Sequence, residues 1–551
     1  MMPRMRRGLL GVVGVVGVVA GCALFAQPAY AQGTALVLPG DPVYRDLDRL
    51  AALGMLDSVV MGHRPYSRRE IARIARIALE RYRQRAATSD AGLEPVALGA
   101  LRSISSRFAE DGAPGPVVAA FDGGSLSYVG SSVERRSLVG EGRDIEATIG
   151  AFDQRRLGQP EVQGHGTSLE AAQRVEPWPW LAVSARERVE LRVSRDPGRS
   201  APRGELLVAS VRARARNVAV TVGRSPLAWS QESDVGLIFA PNAPPLDMIS
   251  VAGDRPFLLP GVLRRAGPMQ ATLLVADLGA SRVRSHSRLL AYKVSLAPGN
   301  GLEIGGSFTN RFGGAGARPA SIGDRLIDFL PFIDIFRRHN YTDTTRTLEV
   351  ESDKMLGLDG RVRLPRRLGG VVLSGELVVD DFDVNRLPTL LTWDGSQSLR
   401  VTVPRLARDD IALHLTAMHT GTRAYSHLQL SAGHATRGRL LGDELGPDAK
   451  AFGAAVVWMP DAGTSLSLGG RSATHSKAEY TYVTDGNFFA LRRVTDASNE
   501  VRDRIVGTLR TQRSRGVTLE MLLGAVRTRN HAFTGTTRHD GLAEVSVLVT
   551  R

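Results

Sequence analysis

Lysine is almost missing from this chain. It occurs only at Lys293, Lys354, Lys450 and Lys477, so nearly all of the 70 basic residues are arginine, set against 56 acids for a net charge of +14. Cysteine is reduced to Cys22, which excludes an intramolecular disulfide. Past the N-terminal leader no apolar stretch reaches the ~20 residues of a spanning helix, which argues against a helical membrane protein. Also missing are a Gly-x-Ser-x-Gly elbow, a Walker loop, a His-Glu-x-x-His helix and a complete dinucleotide fingerprint. Gly313-Gly314-Ala315-Gly316 is only a flexible loop. Nothing in the sequence marks an enzyme, a cofactor or a metal site.

What is present begins with export. Met1 to Arg7 carries three arginines and no acid, and an apolar run rich in Gly, Val, Leu and Ala continues to Phe25. That is the pattern of a secretory signal peptide, expected to span residues 1–31. Ala29-Tyr30-Ala31 is a small-x-small site that would leave Gln32 first, whereas Val19-Ala20-Gly21-Cys22 has the form of a lipobox. Export makes nucleic acid a poor partner, and the arginines are spread among acids instead of gathered with aromatics. Arginine use reflects either a GC-rich genome or guanidinium forks suited to carboxylate or phosphate on a glycan.

Residues 32–112 read as a small helical domain. Val43, Leu47, Leu50 and Leu53 recur at helical spacing and Gly54 offers a left-handed stop. Ser67 and Glu70 have the spacing of a capping box, after which Ile71, Ile74, Ile77 and Ala78 carry the apolar stripe. A third helix is expected between Asp90 and Phe108.

From Val117 the period falls to two, over 113–551. Leu181, Val183, Ala185, Val189, Leu191 and Val193 share one face, opposite Ser184, Arg186, Arg188, Glu190, Arg192 and Ser194. Leu207, Ala209, Val211, Ala213 and Ala215 repeat this against Ser210, Arg212, Arg214 and Arg216, as do Ile411, Leu413, Leu415 and Ala417 against His414, Thr416 and Thr420. Many segments run near ten residues, longer than the ~5–6 of soluble strands, which favours a mainly β chain closed as a large antiparallel transmembrane β-barrel of roughly 16–20 strands. A surface-attached or soluble β-sheet protein is the alternative. Aromatics are only 6%, so interfacial girdles should be sparse, and Val545, Val547 and Val549 lead to Arg551 where barrels usually end on an aromatic.

Two stretches too long for tight turns, about 225–268 and 311–342, are expected to occlude the pore. The first is proline-rich and holds Trp229, a sugar-stacking face or an interfacial anchor. The second holds Leu326, Ile327, Phe329, Leu330, Phe332, Ile333, Ile335 and Phe336. Glu376, with Asp380 and Asp381 after it, should point into the lumen and pair with arginines on neighbouring strands. His414 and His427 lie on polar faces of adjacent strand patterns, without an evident third metal ligand.

Asp41-Pro42-Val43-Tyr44-Arg45-Asp46-Leu47-Asp48-Arg49-Leu50, Arg64-Pro65-Tyr66-Ser67-Arg68-Arg69-Glu70, Gly223-Arg224 to Trp229, and Asn242-Ala243-Pro244-Pro245 together resemble the Wzi-type capsule assembly proteins of the bacterial outer membrane. Glu376 with Asp380 and Asp381 adds a weaker likeness, while Ser230 stands where the family pattern has glycine. The resemblance implies a helical N-terminal bundle, a barrel with a loop-occluded lumen, and a lectin-like role in holding capsular polysaccharide. The N-terminal helices also resemble one S-layer homology module, again pointing to envelope glycan. Arg186, Arg188, Arg192, Arg212, Arg214, Arg216, Arg224, Trp229 and Asn242 are the candidate polysaccharide contacts, and Glu376, Asp380 and Asp381 the lumenal acids. The expected partners are surface polysaccharide and outer-membrane lipid, for a monomer. A porin-like channel for anionic solutes and an envelope lipid or glycan hydrolase are the competing functions.

Overall fold

The structure, a computed structural model, describes residues 33–87, 94–108, 111, 118–140, 143–152, 163–194, 202–299, 301–317, 319, 321–329, 352–380, 395–427, 432–476, 480–485, 488–493, 498–514 and 516–550. Residues 1–32, with Cys22 and Ala31, lie outside the described residues, as do Asp381, Arg551 and 330–342.

Eighteen strands form one closed antiparallel barrel. They are β1 (Val118–Ser131), β2 (Gly164–Trp178), β3 (Leu181–Ser194), β4 (Pro202–Ala215), β5 (Val218–Ser225) and β6 (Leu246–Gly253). The wall continues through β7 (Pro268–Asp277), β8 (Arg288–Gly299), β9 (Leu302–Phe312), β10 (Ser352–Arg363), β11 (Val372–Asp380) and β12 (Gly395–Val403). It is completed by β13 (Ile411–Thr420), β14 (Ala449–Trp458), β15 (Thr464–Ser476), β16 (Asn499–Ser514), β17 (Val517–Arg529) and β18 (Thr537–Thr550), which pairs with β1. Closure leaves no open sheet edge, the condition for a sheet in hydrocarbon.

The outward positions are apolar: Leu126, Leu169, Val189, Leu191, Leu273, Ile304, Leu358, Leu399, Leu468, Ile505, Leu523 and Val547 are all exposed. Inward positions bury Glu170, Arg188, Glu190, Arg192, Lys293, Glu303, Arg311, Asp359, Arg361 and Glu376. A guanidinium facing acyl chains would lose its hydration, so the period-two charge pattern must turn inward. One parity reading needs correction. Between Arg186 and Glu187 the β3–β4 register slips, pairing Val208 and then Leu206, so Leu207 is a bulge residue buried with Val208 and leaves the oily face.

Two-residue turns join β2 to β3, β4 to β5, β8 to β9 and β16 to β17 at one end, while the long connections 132–163, 226–245, 313–351 and 421–448 lie at the other. By the general rule for such barrels the short turns face the periplasm. Trp178 and Trp180 stack there, ring centroids 5.2 Å apart, a small piece of aromatic girdle.

At the short-turn end sit three helices, α1 (Val43–Ala52), α2 (Arg68–Ala86) and α3 (Glu94–Phe108). They share a core of Leu47, Leu50, Ile71, Ile74, Leu101, Ile104 and Phe108. Gly54 ends the first helix with φ +72°, and Ser67 caps the second by accepting from the Glu70 N–H (3.2 Å). The Glu70 carboxylate does not complete the box; it holds Arg73 (2.5 Å) instead.

The stretch about 225–268 is not one loop. It contains β6, with 226–245 at the outer end and 254–267 at the periplasmic end. Nor does the described part of 311–342 plug the lumen. Even-numbered β9 residues face outward, and there Asn310 and Phe312 are covered by α4 (Ile322–Asp328) and Phe329: Asn310 donates to Asp328 (2.7 Å), and Phe312 meets Phe329 at 5.1 Å between centroids. This segment lies against the outside of the wall because its partners point that way.

Candidate functional site: a lumen occupied from both ends

The helical domain fills the periplasmic mouth through paired contacts to the wall. Arg363 on β10 grips Asp57 with two bonds (2.8 and 2.5 Å), and Arg45 faces Glu520 on β17 at 3.5 Å. Arg68 holds Asp111 (2.9 Å) and lies 3.7 Å from Asp122 on β1. The Thr34 N–H donates to Glu176 (2.9 Å).

From the outer end, 226–245 dips into the lumen. Pro226, Pro241, Pro244 and Pro245 keep it from extending the sheet, and its apolar residues need cover. Leu227, Trp229, Leu237, Ile238 and Phe239 find it in a core shared with Leu138, Ile145, Ile149, Tyr425, Leu440 and Leu441 from the other outer loops. Trp229 meets the Phe239 edge at 4.9 Å between centroids, and His434 lies on the Ile238 carbonyl oxygen (3.0 Å). A Cβ on Gly236 would come within 2.5 Å of the Phe239 carbonyl oxygen, so the tight return of this loop requires glycine.

Loop and helices meet inside the barrel. The Met61 and Gly62 N–H groups donate to the Glu303 carboxylate (2.7 and 2.9 Å), to which Gln231 also donates (3.1 Å). Gln231 donates further to Asp359 (2.5 Å), whose other oxygen accepts from Lys293 (2.7 Å). The His63 ring lies between Thr272 (3.2 Å) and Ser295 (2.9 Å); burial, with the Lys293 charge beside it, holds its pKa well below the usual range. At the loop tip the Ser233 N–H donates to Asp48 (3.0 Å), which also pairs with Arg64. Burial pushes the Asp48 carboxyl up to about 6 against the pull of Arg64, with Glu232 and Asp234 adding to the shift. Asp234 is held bidentately by Arg400 on β12 (2.5 and 2.7 Å). Beside this junction a cavity of about 480 Å³ is lined by Asp46, Arg49, His414, Arg504, Thr508 and Arg510 among others.

Most of the predicted contact residues serve this architecture. Arg186 and Arg188 both bind Glu170 (2.5 and 2.6 Å), and Arg192 binds Glu190 (2.5 Å). Arg212 joins Asp254 (2.9 Å) to the Thr34 carbonyl oxygen (3.0 Å). Arg214 donates to the Pro179 carbonyl oxygen (2.9 Å), and Arg216 leaves the inward ladder altogether, sitting exposed in the β4–β5 turn with φ +53°. Trp229 is only 3% exposed and Asn242 is buried, so Trp229 is neither a free stacking face nor a lipid anchor.

Arg224 lies at the outer end of β5, donating to both oxygens of Asp247 (2.7 Å each), which also accepts from Arg437 (3.0 Å). Arg437, Arg400 and the Glu303 junction were not singled out from sequence, since their partners lie on remote strands.

Glu376 is inward and buried as expected, yet its described partners are the Leu237 N–H (2.7 Å) and the Ser230 hydroxyl of the loop instead of an arginine. Asp380 is buried at the outer end of β11. His414 contacts Thr402 (3.0 Å) on the wall, whereas His427 belongs to the outer loop after β13, so the two do not form a pair. Among the described residues no three His, Cys, Asp or Glu side chains gather as a metal site.

Comparison with known proteins agrees with this geometry. The family model for the capsule assembly protein Wzi matches residues 158–512. Among solved structures, the chain is similar to Wzi of Escherichia coli, described as an outer membrane protein involved in group 1 capsule assembly and a carbohydrate-binding β-barrel. The identity is 16%, the match covers 94% of this chain and 99% of that one, and the TM-score is 0.64. Acinetobacter baumannii OccAB4 matches at 9% identity over 78% of this chain and 98% of its own, with a TM-score of 0.40. A search of curated protein sequences gives no match.

Proposed function

We propose, for a chain that belongs to the Wzi capsule assembly family, that it holds surface polysaccharide on a fixed outer surface and does not act as a pore. The observation that carries this reading is that the lumen is occupied from both ends. Among the described residues, helices occupy one mouth, an outer loop packed in a shared core descends from the other, and the two meet at Glu303, Gln231 and Asp48. A diffusion channel has no use for such a seam. Rigid outer loops suit a polymer ligand, since a surface already ordered loses little entropy on binding.

Arg224 and Arg437 share the Asp247 carboxylate at the outer rim, each guanidinium about a quarter exposed and with Glu205 also nearby. That arrangement supports recognition of acidic sugars. The partners are then surface polysaccharide and outer-membrane lipid, for a monomer that works without catalysis. Cleavage of the leader completes the proposal.

Binding of the purified, heat-modifiable barrel to capsular polysaccharide from the same strain should be measured by biolayer interferometry. Wild type should bind, Arg224→Ser with Arg437→Ser should bind at least tenfold more weakly, and the polymer should keep its length. A folded wild-type barrel that ignores the polymer, or steady single-channel conductance from it, refutes the reading.

A further inference from the structure

Three periplasmic turns repeat one composition. In the β6–β7 turn, Val262 and Leu263 are 81% and 57% exposed, immediately before Arg264 and Arg265. The β10–β11 turn presents Arg366-Arg367-Leu368 with the leucine 57% exposed, and the β12–β13 turn presents Arg405-Leu406-Ala407-Arg408 with its leucine 37% exposed. Asp409 and Asp410 in the last turn hold Arg405 (3.5 Å) and Arg408 (2.9 Å). Arg264, Arg265 and Arg367, by contrast, have no ion pair among the described residues.

Scattered exposed leucines need no explanation, but branched apolar side chains placed repeatedly beside unpaired guanidinium groups fit one environment. At a membrane surface the apolar group enters the acyl boundary while the arginine meets phosphate. These turns lie at the foot of strands whose outward faces carry Leu273, Leu358 and Leu399, so the apolar wall of the barrel leads to them. In the β6–β7 and β10–β11 turns the charge of Arg264, Arg265 and Arg367 is complementary to anionic headgroups.

We infer that the β6–β7 and β10–β11 turns are seated on the periplasmic leaflet and that Arg264, Arg265 and Arg367 bind the phosphates of anionic phospholipids. Val262, Leu263 and Leu368 supply the apolar footing. The surface selects phosphatidylglycerol or cardiolipin over zwitterionic lipid, whatever the outer loops bind.

The test uses the full chain, refolded into vesicles containing phosphatidylglycerol and cardiolipin, in a Cys22→Ser background. An environment-sensitive fluorophore on Val262→Cys should shift to the blue and be quenched by lipids spin-labelled near the headgroup. Native mass spectrometry should find anionic lipid carried by the wild-type barrel and at most half as much on Arg264→Ser/Arg265→Ser/Arg367→Ser. Retained mobility of the unboiled band shows that this variant folds, as expected for exposed turn positions. Emission unchanged from water overturns the inference and points to an acidic periplasmic protein as the occupant. Equal lipid retention by the triple variant overturns it as well.

Discussion

Changing Glu303 to glutamine should release the helical domain while leaving the barrel intact. The substitution preserves shape but offers one acceptor oxygen where two now take the Met61 and Gly62 N–H groups at 2.7 and 2.9 Å. One buried N–H loses a charged acceptor, worth about 1.5–3 kcal/mol, and the surviving bond falls to neutral strength, about 1 kcal/mol weaker. The new amide also faces the Gln231 amide, which now donates to Glu303 at 3.1 Å. A total near 3 kcal/mol corresponds to roughly a hundredfold shift in the docking equilibrium. Tryptic cleavage within α2, which carries exposed Arg76, Arg81 and Arg83, reports that equilibrium when reclosing is fast. The cleavage rate in vesicles should rise by at least tenfold while the unboiled barrel keeps its mobility. A rate equal to wild type in a folded barrel would show that the Glu303 junction does not hold the domain, and the argument from paired N–H donors would fall.

Phe239→Ala removes the side chain on which Trp229 stacks edge-on and should cost about 3–5 kcal/mol of loop packing, read as intermittent conductance in planar bilayers where wild type is silent. Gly54→Ala requires φ +72° of a residue with a Cβ and brings that atom within 2.6 Å of the Arg363 guanidinium, so plug stability should fall by about 1–3 kcal/mol in the same protease assay. The Asp48 carboxyl is raised from 3.8 to about 6, so the folded state takes up this proton before the unfolded one does. Its stability cost is therefore present above about pH 6 and is relieved as pH falls from 7 toward 5. Protease resistance of the helical domain should increase over that interval, and Asp48→Asn should flatten the change.

Features dictated by a single neighbour in the chain, or by the solvent on one side of a strand, could be read in advance. Val189 and Leu191 had to face lipid once Arg188 and Arg192 faced inward, and Gly54 and Ser67 marked helix ends by local geometry alone. The bulge at Leu207 has no such local mark, and it moves a leucine from the lipid face into the wall. Partner choice was likewise hidden. Asp57 and Arg363 are 306 residues apart, and only the closed barrel makes them neighbours. The prolines marked a loop but not its end, since the expected stretch of about 225–268 took in β6, and the descent of 226–245 to Asp48 depends on cover from Leu440 and Leu441, which no local pattern ties to Phe239. Arg216 shows the opposite error: its alternation continued in sequence after the chain had already turned.

The seam where β18 meets β1 bears on how the chain can be assembled. The helical domain precedes β1 and is gripped by β1 through Asp122, by β10 through Arg363 and by β17 through Glu520, positions on widely separated parts of the wall. A sheet that lacks β17 cannot make all three grips. Full enclosure of the helices therefore waits for nearly the whole wall, and the domain first in sequence depends on strands close to the far end of the chain.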